Sequence, residues 1–281
     1  MMSKSYSDVV ETARDYYNSE DADNFYFHVW GGEDIHIGMY QSEDEPIRDA
    51  SRRTIEHMAS KIKLKLDADK KVLDMGAGYG GVARYLAKTY GCQVVALNLS
   101  ERENERDRKM NQEQGLDHLI DVWDGSFESV EADDASFDVV WSQDSILHSS
   151  ERDKVIAEAA RVLKPGGELI ITDPMQVDDC PEGVLQPVYD RIHLPSLGSI
   201  EFYRETARQN GLEELEVEEM TENLVNHYGR VRRELEQNRD SITDKVSDAY
   251  IDRMITGLGH WVDAGSKGYL RWGILHFRKP A

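Results

Sequence analysis

Lys70-Lys71-Val72-Leu73-Asp74-Met75-Gly76-Ala77-Gly78-Tyr79-Gly80-Gly81 is a short apolar strand running straight into glycines. An apolar run closed by glycines reads as a buried strand ending in a tight turn. Outward from it the pattern alternates. Residues 83–91 form a helix stopped by Gly91, 92–100 a second strand, 101–115 a charged helix, 119–125 a third strand and 137–144 a fourth. A helix over 151–163, a turn at 164–167 and a fifth strand at 168–174 follow. Strands alternating with helices of this length predict βαβ units, a parallel sheet and right-handed crossovers. Beyond Pro174 the alternation breaks. Residues 175–200 carry Pro181, Pro187 and Pro195 and read as irregular; 201–210 return to helix, 213–220 to strand, 222–265 are mostly helical and 269–279 end the chain as a strand. Upstream, aromatic residues crowd 1–45, which reads as a helix over about 5–18 and a loop through Trp30-Gly31-Gly32; Pro46 opens a helix over 46–65. The expected organisation is a helical cap over the active site at 1–66 and one α/β domain at 67–281. Within that domain, 70–175 would be the core that holds a cofactor, with lid or substrate insertions at 175–200 and 222–265.

Composition narrows the class. The 281 residues carry 33 Lys plus Arg against 54 Asp plus Glu, a net charge of −21. That field disfavours nucleic acid and anionic membranes. The 5 Trp, 13 Tyr and 6 Phe exclude disorder for most of the chain. No apolar run is long enough for a membrane span, and the N-terminus lacks the apolar stretch of a signal peptide. Cys92 and Cys180 form no disulfide framework or zinc pattern, and His57, His118, His227, His260 and His276 have no metal spacing. A cytoplasmic protein without a metal, monomeric or a small homo-oligomer, is expected; the acid surplus further suggests a salt-rich cytoplasm.

Gly76, Gly78 and Gly81 satisfy GxGxxG, which by itself means only that backbone approaches a ligand closely at a helix N-terminus. A nicotinamide dinucleotide would place pyrophosphate there and want an acid some 20 residues on. Three features favour S-adenosylmethionine. Asp74 just before the glycines suits a cationic amino group, and the second strand ends in Asn98. The third is a set of blocks in order: Asp124-Gly125, then Ser136-Phe137-Asp138-Val139-Val140, then Arg161-Val162-Leu163-Lys164-Pro165-Gly166-Gly167.

As an ordered set over about 70–175, these blocks resemble the Rossmann-like class I S-adenosylmethionine-dependent methyltransferases. The resemblance implies a seven-stranded, mostly parallel sheet with an antiparallel last strand. It implies cofactor contacts from the loop at 76–80 with Asp74, from Asn98 and Leu99, from Asp124 and Gly125, and from Gln143. Asn98 departs from the family's usual acid and leaves the ribose contact open.

In this fold an acceptor lies beyond the carboxyl ends of the strands. The segment Trp141-Ser142-Gln143-Asp144-Ser145-Ile146-Leu147-His148 resembles that of small-amine methyltransferases such as the phosphoethanolamine enzymes. The resemblance implies Asp144 at the acceptor amine, and His148 orienting it or taking a proton; His148 could instead cap the next helix. The blocks at 25–40, 171–184, 190–199, 224–231 and 268–279 are similar to the sarcosine/dimethylglycine N-methyltransferases, which make glycine betaine. The small-molecule partners would then be sarcosine and dimethylglycine, and the spent cofactor S-adenosylhomocysteine. Such a substrate asks for a cation for its carboxylate. Arg191 beside His193 is the candidate, although an acid-rich surface would equally use Arg191 in a salt bridge. Tyr26, Trp30 and Trp272 offer aromatic faces for a methylated ammonium, Trp272 reading more naturally as core. Pro174 and Met175 offer an apolar rim for N-methyl groups. Glycine or phosphoethanolamine as acceptor, a nicotinamide oxidoreductase and a non-catalytic cofactor-binding module are the competing readings.

Overall fold

The computed structural model describes residues 8–30, 32–192 and 194–281. His193, Gly31 and the first residues of the predicted N-terminal helix lie outside the described residues. Four elements precede the sheet: α1 (Asp8–Asn18), α2 (Glu20–Phe25), a π-helical turn (Tyr26–Trp30) and α3 (Ile47–Lys61). The alternating part follows as β1 (Lys71–Met75), α4 (Gly81–Tyr90), β2 (Gln93–Asn98), α5 (Glu101–Glu113), β3 (Ile120–Asp124), β4 (Phe137–Gln143), α6 (Arg152–Val162) and β5 (Leu163–Thr172). Then come β6 (Met175–Gln176), α7 (Gln186–Ile192), α8 (Ile200–Gln209), β7 (Glu213–Glu219) and α9 (Thr221–Gln237). Last are α10 (Arg239–Ile242), α11 (Asp248–Ser266), β8 (Leu270–Arg271) and β9 (Gly273–Arg278).

The seven-stranded sheet has the order β3-β2-β1-β4-β5-β9-β7, with β9 antiparallel to both β5 and β7. The expected Rossmann-like α/β architecture is the one observed. Both faces of the sheet are covered, and the strands alternate between two cores. Val72, Val94, Ala96, Val139, Trp141 and Ile170 enter one; Leu73, Met75, Val95, Leu97, Val140, Leu169 and Ile171 enter the other.

Three segments differ from expectation. Residues 26–30 are a π turn instead of a loop, because Phe25, Tyr26 and Trp30 bury their rings together, with centroids 5.0–5.7 Å apart. The stretch 175–200 is not wholly irregular. Pro187 is the second residue of α7, where a missing N–H costs nothing, and β6 pairs antiparallel with β8. The turn expected at 164–167 is a bulged part of β5, where the register shifts between Phe137 and Val139 and Gly166 takes φ 78°.

Glu168 ties three elements together. Fully buried in β5, it accepts from the backbone N–H groups of Lys63 (2.9 Å) and Leu64 (3.0 Å), from Arg278 Nη2 (3.0 Å), and pairs with His276 Nε2 (2.7 Å). Glu168→Ala leaves those donors buried without an acceptor. Urea denaturation should show a loss of about 3–5 kcal/mol; a loss below about 1 kcal/mol would mean the donors find water instead.

Candidate active site

Two adjoining cavities open beyond the carboxyl ends of β1, β2 and β4. Of the predicted cofactor contacts, Gly76, Gly78, Asn98, Leu99, Gly125 and Gln143 border the first. The glycines are required there. Gly76 and Gly78 adopt φ 83° and 54°, and a Cβ on Gly76 would run into the Ser145 side chain. Asp74 and Asp124 do not border it. Asp74 is 1% exposed within β1, and burial together with nearby Asp107 pushes its carboxyl well above the usual range. Asp124 accepts from Asn104 Nδ2 (2.7 Å) and Arg108 Nη2 (2.7 Å), so its carboxylate serves α5.

Glu103, which sequence reasoning missed, places an acid beside Asn98 at this cavity. Ser100 caps α5 by accepting from the Glu103 N–H (3.2 Å), which fixes Glu103 in the first turn. Its carboxylate does not reach back as in a capping box. It accepts from Asn98 Nδ2 at 2.8 Å, borders the cavity, and leaves Oε1 without a partner among the described residues. Burial raises its pKa to about 7. The signal in the sequence was Ser-x-x-Glu at 100–103.

Asp144, His148, Tyr26, Trp30, Pro174 and Arg191 border the second cavity. Met175 does not: one position beyond Pro174, it is fully buried in β6 opposite Arg271. Trp272 does not border it either. It is buried and donates its indole N–H to Asp144 Oδ1 at 2.7 Å. Tyr16, Tyr17, Ile37, Tyr228 and Trp261 complete much of the wall, and sequence reasoning had not named them for this site. Tyr228 lies on α9, within the block at 224–231, and Trp261 on α11.

The cavities meet at Tyr17, Tyr26, Ile35, Asp144 and His148, which border both. Asp144 sits at φ 51°, unusual for a residue with a side chain. Its carboxylate is held by three donors: Ile37 N to Oδ2 (2.7 Å), and Thr172 Oγ1 (2.9 Å) and Trp272 Nε1 (2.7 Å) to Oδ1. Burial raises its pKa to about 6 against those hydrogen bonds, so it is an anion at neutral pH. His148 shares a 2.7 Å hydrogen bond between Nε2 and the Tyr17 hydroxyl, which ties α1 to the strand ends. Burial, then the charges of Arg191 and Arg152, lower its pKa to about 4, so it is neutral at physiological pH and a weaker base than a free imidazole.

Arg191 makes no salt bridge with a described residue, although the chain holds 54 carboxylates. Its Nη2 lies 3.8 Å from Met254 Sδ, and its enclosed Nε has no partner among the described residues. A cation at a cavity wall with no counter-ion among the described residues is suited to an anionic ligand. Among the described residues no three His, Cys, Asp or Glu side chains converge as metal ligands.

Sheet order and strand directions, together with a family model described as a methyltransferase domain that matches residues 73–171, place the chain among the class I methyltransferases. Its full-length relatives are more specific. It is 62% identical to the sarcosine/dimethylglycine N-methyltransferase of Halorhodospira halochloris, over 99% of this chain and all of that one. It is 57% identical to the enzyme of the same name from Aphanothece halophytica, over 97% of this chain and 98% of the other. The crystal structure of a proposed sarcosine dimethylglycine methyltransferase from Galdieria sulphuraria superposes with a TM-score of 0.89 at 43% identity, covering 94% of this chain and 99% of that one. The chain belongs to the sarcosine/dimethylglycine N-methyltransferase family.

Proposed function

We propose that the protein transfers methyl groups from S-adenosylmethionine to the amine of sarcosine and of N,N-dimethylglycine, and so produces glycine betaine. The carrying observation is the pair of adjoining cavities: one built on a glycine loop with an acid oxygen that has no partner among the described residues, the other on aromatic walls around Arg191, which has no carboxylate partner among them. The names of the full-length relatives support the same acceptors.

The first cavity fits the cofactor. Gly76 and Gly78 let backbone approach it, Leu99 and Gly125 border it, and Glu103 with Asn98 offers an acceptor for ribose hydroxyls. Gln143 Nε2, buried without a partner among the described residues, is a further donor there. When bound, S-adenosylmethionine supplies an electrophilic methyl group on a sulfonium and leaves as S-adenosylhomocysteine.

The chain's own residues hold the acceptor. Arg191 takes its carboxylate, Pro174 offers an apolar rim for N-methyl groups, and Tyr26 and Trp30 present aromatic faces to the cationic product. The acceptor nitrogen needs a free lone pair, and an ordinary amine has a pKa of about 10, as for Lys. Burial and the Arg191 charge oppose the protonated amine, which gives up its proton to solvent before the methyl transfer. Asp144 favours positive charge at the nitrogen once the new bond forms. Tyr17 and His148, joined across the two cavities, keep water out and fix the acceptor's orientation.

A phosphorylated acceptor fits less well, because Arg191 is the sole Lys or Arg among the described residues bordering the second cavity. Unmethylated glycine would leave the apolar rim unused. This reading makes the protein a cytoplasmic enzyme with small-molecule partners; no described helix is long and apolar enough to cross a membrane. A methyl-transfer assay with glycine, sarcosine, dimethylglycine and phosphoethanolamine, with products identified by mass, tests it. Betaine from dimethylglycine is expected. Turnover of phosphoethanolamine alone would overturn the acceptor assignment.

Glu103 gives a pH test. Ribose hydroxyls donate best to the ionised carboxylate, so binding lowers a pKa that stands at about 7 in the free protein and releases a proton below that value. Affinity for S-adenosylhomocysteine should therefore rise from pH 6 toward pH 7.5 and then level. In Glu103→Gln it should be weaker and nearly flat with pH, as read by calorimetry. A wild-type profile that is already flat would remove Glu103 from the ribose contact.

A further inference from the structure

Three residues that line the acceptor cavity each carry a buried N–H donor with no acceptor among the described residues: Arg191 Nε, Trp30 Nε1 and Trp261 Nε1. Trp261 is fully buried and Trp30 is 5% exposed. Buried donors are almost always paired, and one left unpaired is costly. Three at one cavity therefore point to a ligand that brings acceptor oxygens and no donors of its own. A carboxylate is such a group. Helix α11 makes a second contribution. Gly257 lies one turn before Trp261, on the same face of the helix. A Cβ there would run into Arg191 Cδ, with Nε at 2.9 Å and Cγ at 3.2 Å. Those atoms are the stem of the arginine, so the guanidinium would have to leave its place. The neighbouring Gly259 is different, since a Cβ there meets only the tip of Arg232, 3.2 Å away.

We propose that α11 builds the acceptor's carboxylate subsite: Trp261 donates its indole N–H to the carboxylate beside Arg191, with Trp30 as a further donor, and Gly257 leaves room for the Arg191 stem. This rests on dimethylglycine being the acceptor and Arg191 its anchor. It adds that the indoles read the anionic end of the substrate as well as presenting aromatic faces to its methyl groups. Gly257 then acts as a positioning residue, through Arg191.

The test uses two ligands with the same quaternary ammonium, glycine betaine with a carboxylate and choline without one. Their binding to the protein saturated with S-adenosylhomocysteine is measured by calorimetry. Trp261→Phe keeps an aromatic ring and removes the N–H. It should weaken betaine about tenfold or more, as for a hydrogen bond to a charged group, and change choline less than about threefold. Gly257→Ala should weaken betaine by a similar factor in the wild-type background and have no further effect in an Arg191→Met background. Gly259→Ala should leave both ligands unchanged, which separates the Arg191 clash from a general effect of alanine in α11. Equal losses for betaine and choline in Trp261→Phe would reduce the indole to an aromatic wall and overturn the proposal. So would full betaine affinity in both α11 variants while Arg191→Met loses it. If Arg191→Met itself binds betaine normally, the underlying assignment of Arg191 fails, a result distinct from failure of the α11 subsite alone.

Discussion

Asp144→Asn should lower kcat for dimethylglycine by roughly 10²–10³-fold, the range for losing one preorganised electrostatic contact to a transition state. KM should move by less than about threefold. The asymmetry follows from what Asp144 does. Its negative charge is worth most when the acceptor nitrogen becomes cationic, and little while that nitrogen is a neutral amine. The substitution has a second consequence. Oδ1 accepts from Thr172 and Trp272 and Oδ2 from the Ile37 N–H. An asparagine can keep its oxygen for the paired donors only by turning its NH₂ toward Ile37 N. One buried donor then loses its partner, costing about 1–3 kcal/mol of stability. Steady-state kinetics at saturating cofactor, with denaturation in parallel, separate the two effects. A raised KM with kcat unchanged would make Asp144 a binding group only. An unchanged kcat would remove it from the chemistry.

The architecture was readable because buried parallel strands and their crossover helices leave a strong periodic pattern. Strands β1 to β5 were all expected, and only their ends moved. The glycine loop was readable for a related reason: Gly76 and Gly78 hold left-handed backbone against a close neighbour, and few other residues tolerate that. Individual side chains were harder. Asp74 and Asp124 stand beside the right loops, but hydrogen bonding and depth decide which carboxylate meets the cavity, and Glu103 takes that place from the first turn of α5. Met175 shows how local the choice is, since Pro174 borders the second cavity while its neighbour is buried in β6. The wall from α9 and α11 was legible only as a block: Tyr228 falls within 224–231, but nothing in the sequence assigned it or Trp261 to a cavity. Tyr228 and Trp261 sit at helical spacing among apolar residues, which is also how a plain core stripe looks, and only the tertiary fold brings them opposite α1. Trp272, which read more naturally as core, does bury its ring, and it also anchors Asp144.

Arg191→Met should raise KM for dimethylglycine by about 100-fold while kcat at saturation falls less than about tenfold. Losing one partner of a buried, hydrogen-bonded charge pair costs about 2–5 kcal/mol, and the lost interaction is present in ground state and transition state alike, so it appears in KM. Methionine fills much of the arginine stem, so the cavity wall keeps its volume. The same variant makes a separate prediction about the ligand-free protein. There Arg191 is a partly buried cation whose side chain has Met254 Sδ at 3.8 Å and no carboxylate partner among the described residues. Such a charge destabilises the fold that holds it. Removing it should therefore raise the melting temperature without ligand, even as acceptor binding collapses, the usual trade between a binding site and the stability of its scaffold. In wild type, glycine betaine with S-adenosylhomocysteine should raise the melting temperature by mass action. In Arg191→Met the betaine increment should disappear while the S-adenosylhomocysteine increment stays. A variant that melts lower than wild type without ligand would show that Arg191 holds the fold together, and a betaine increment that survives would show that another group takes the carboxylate.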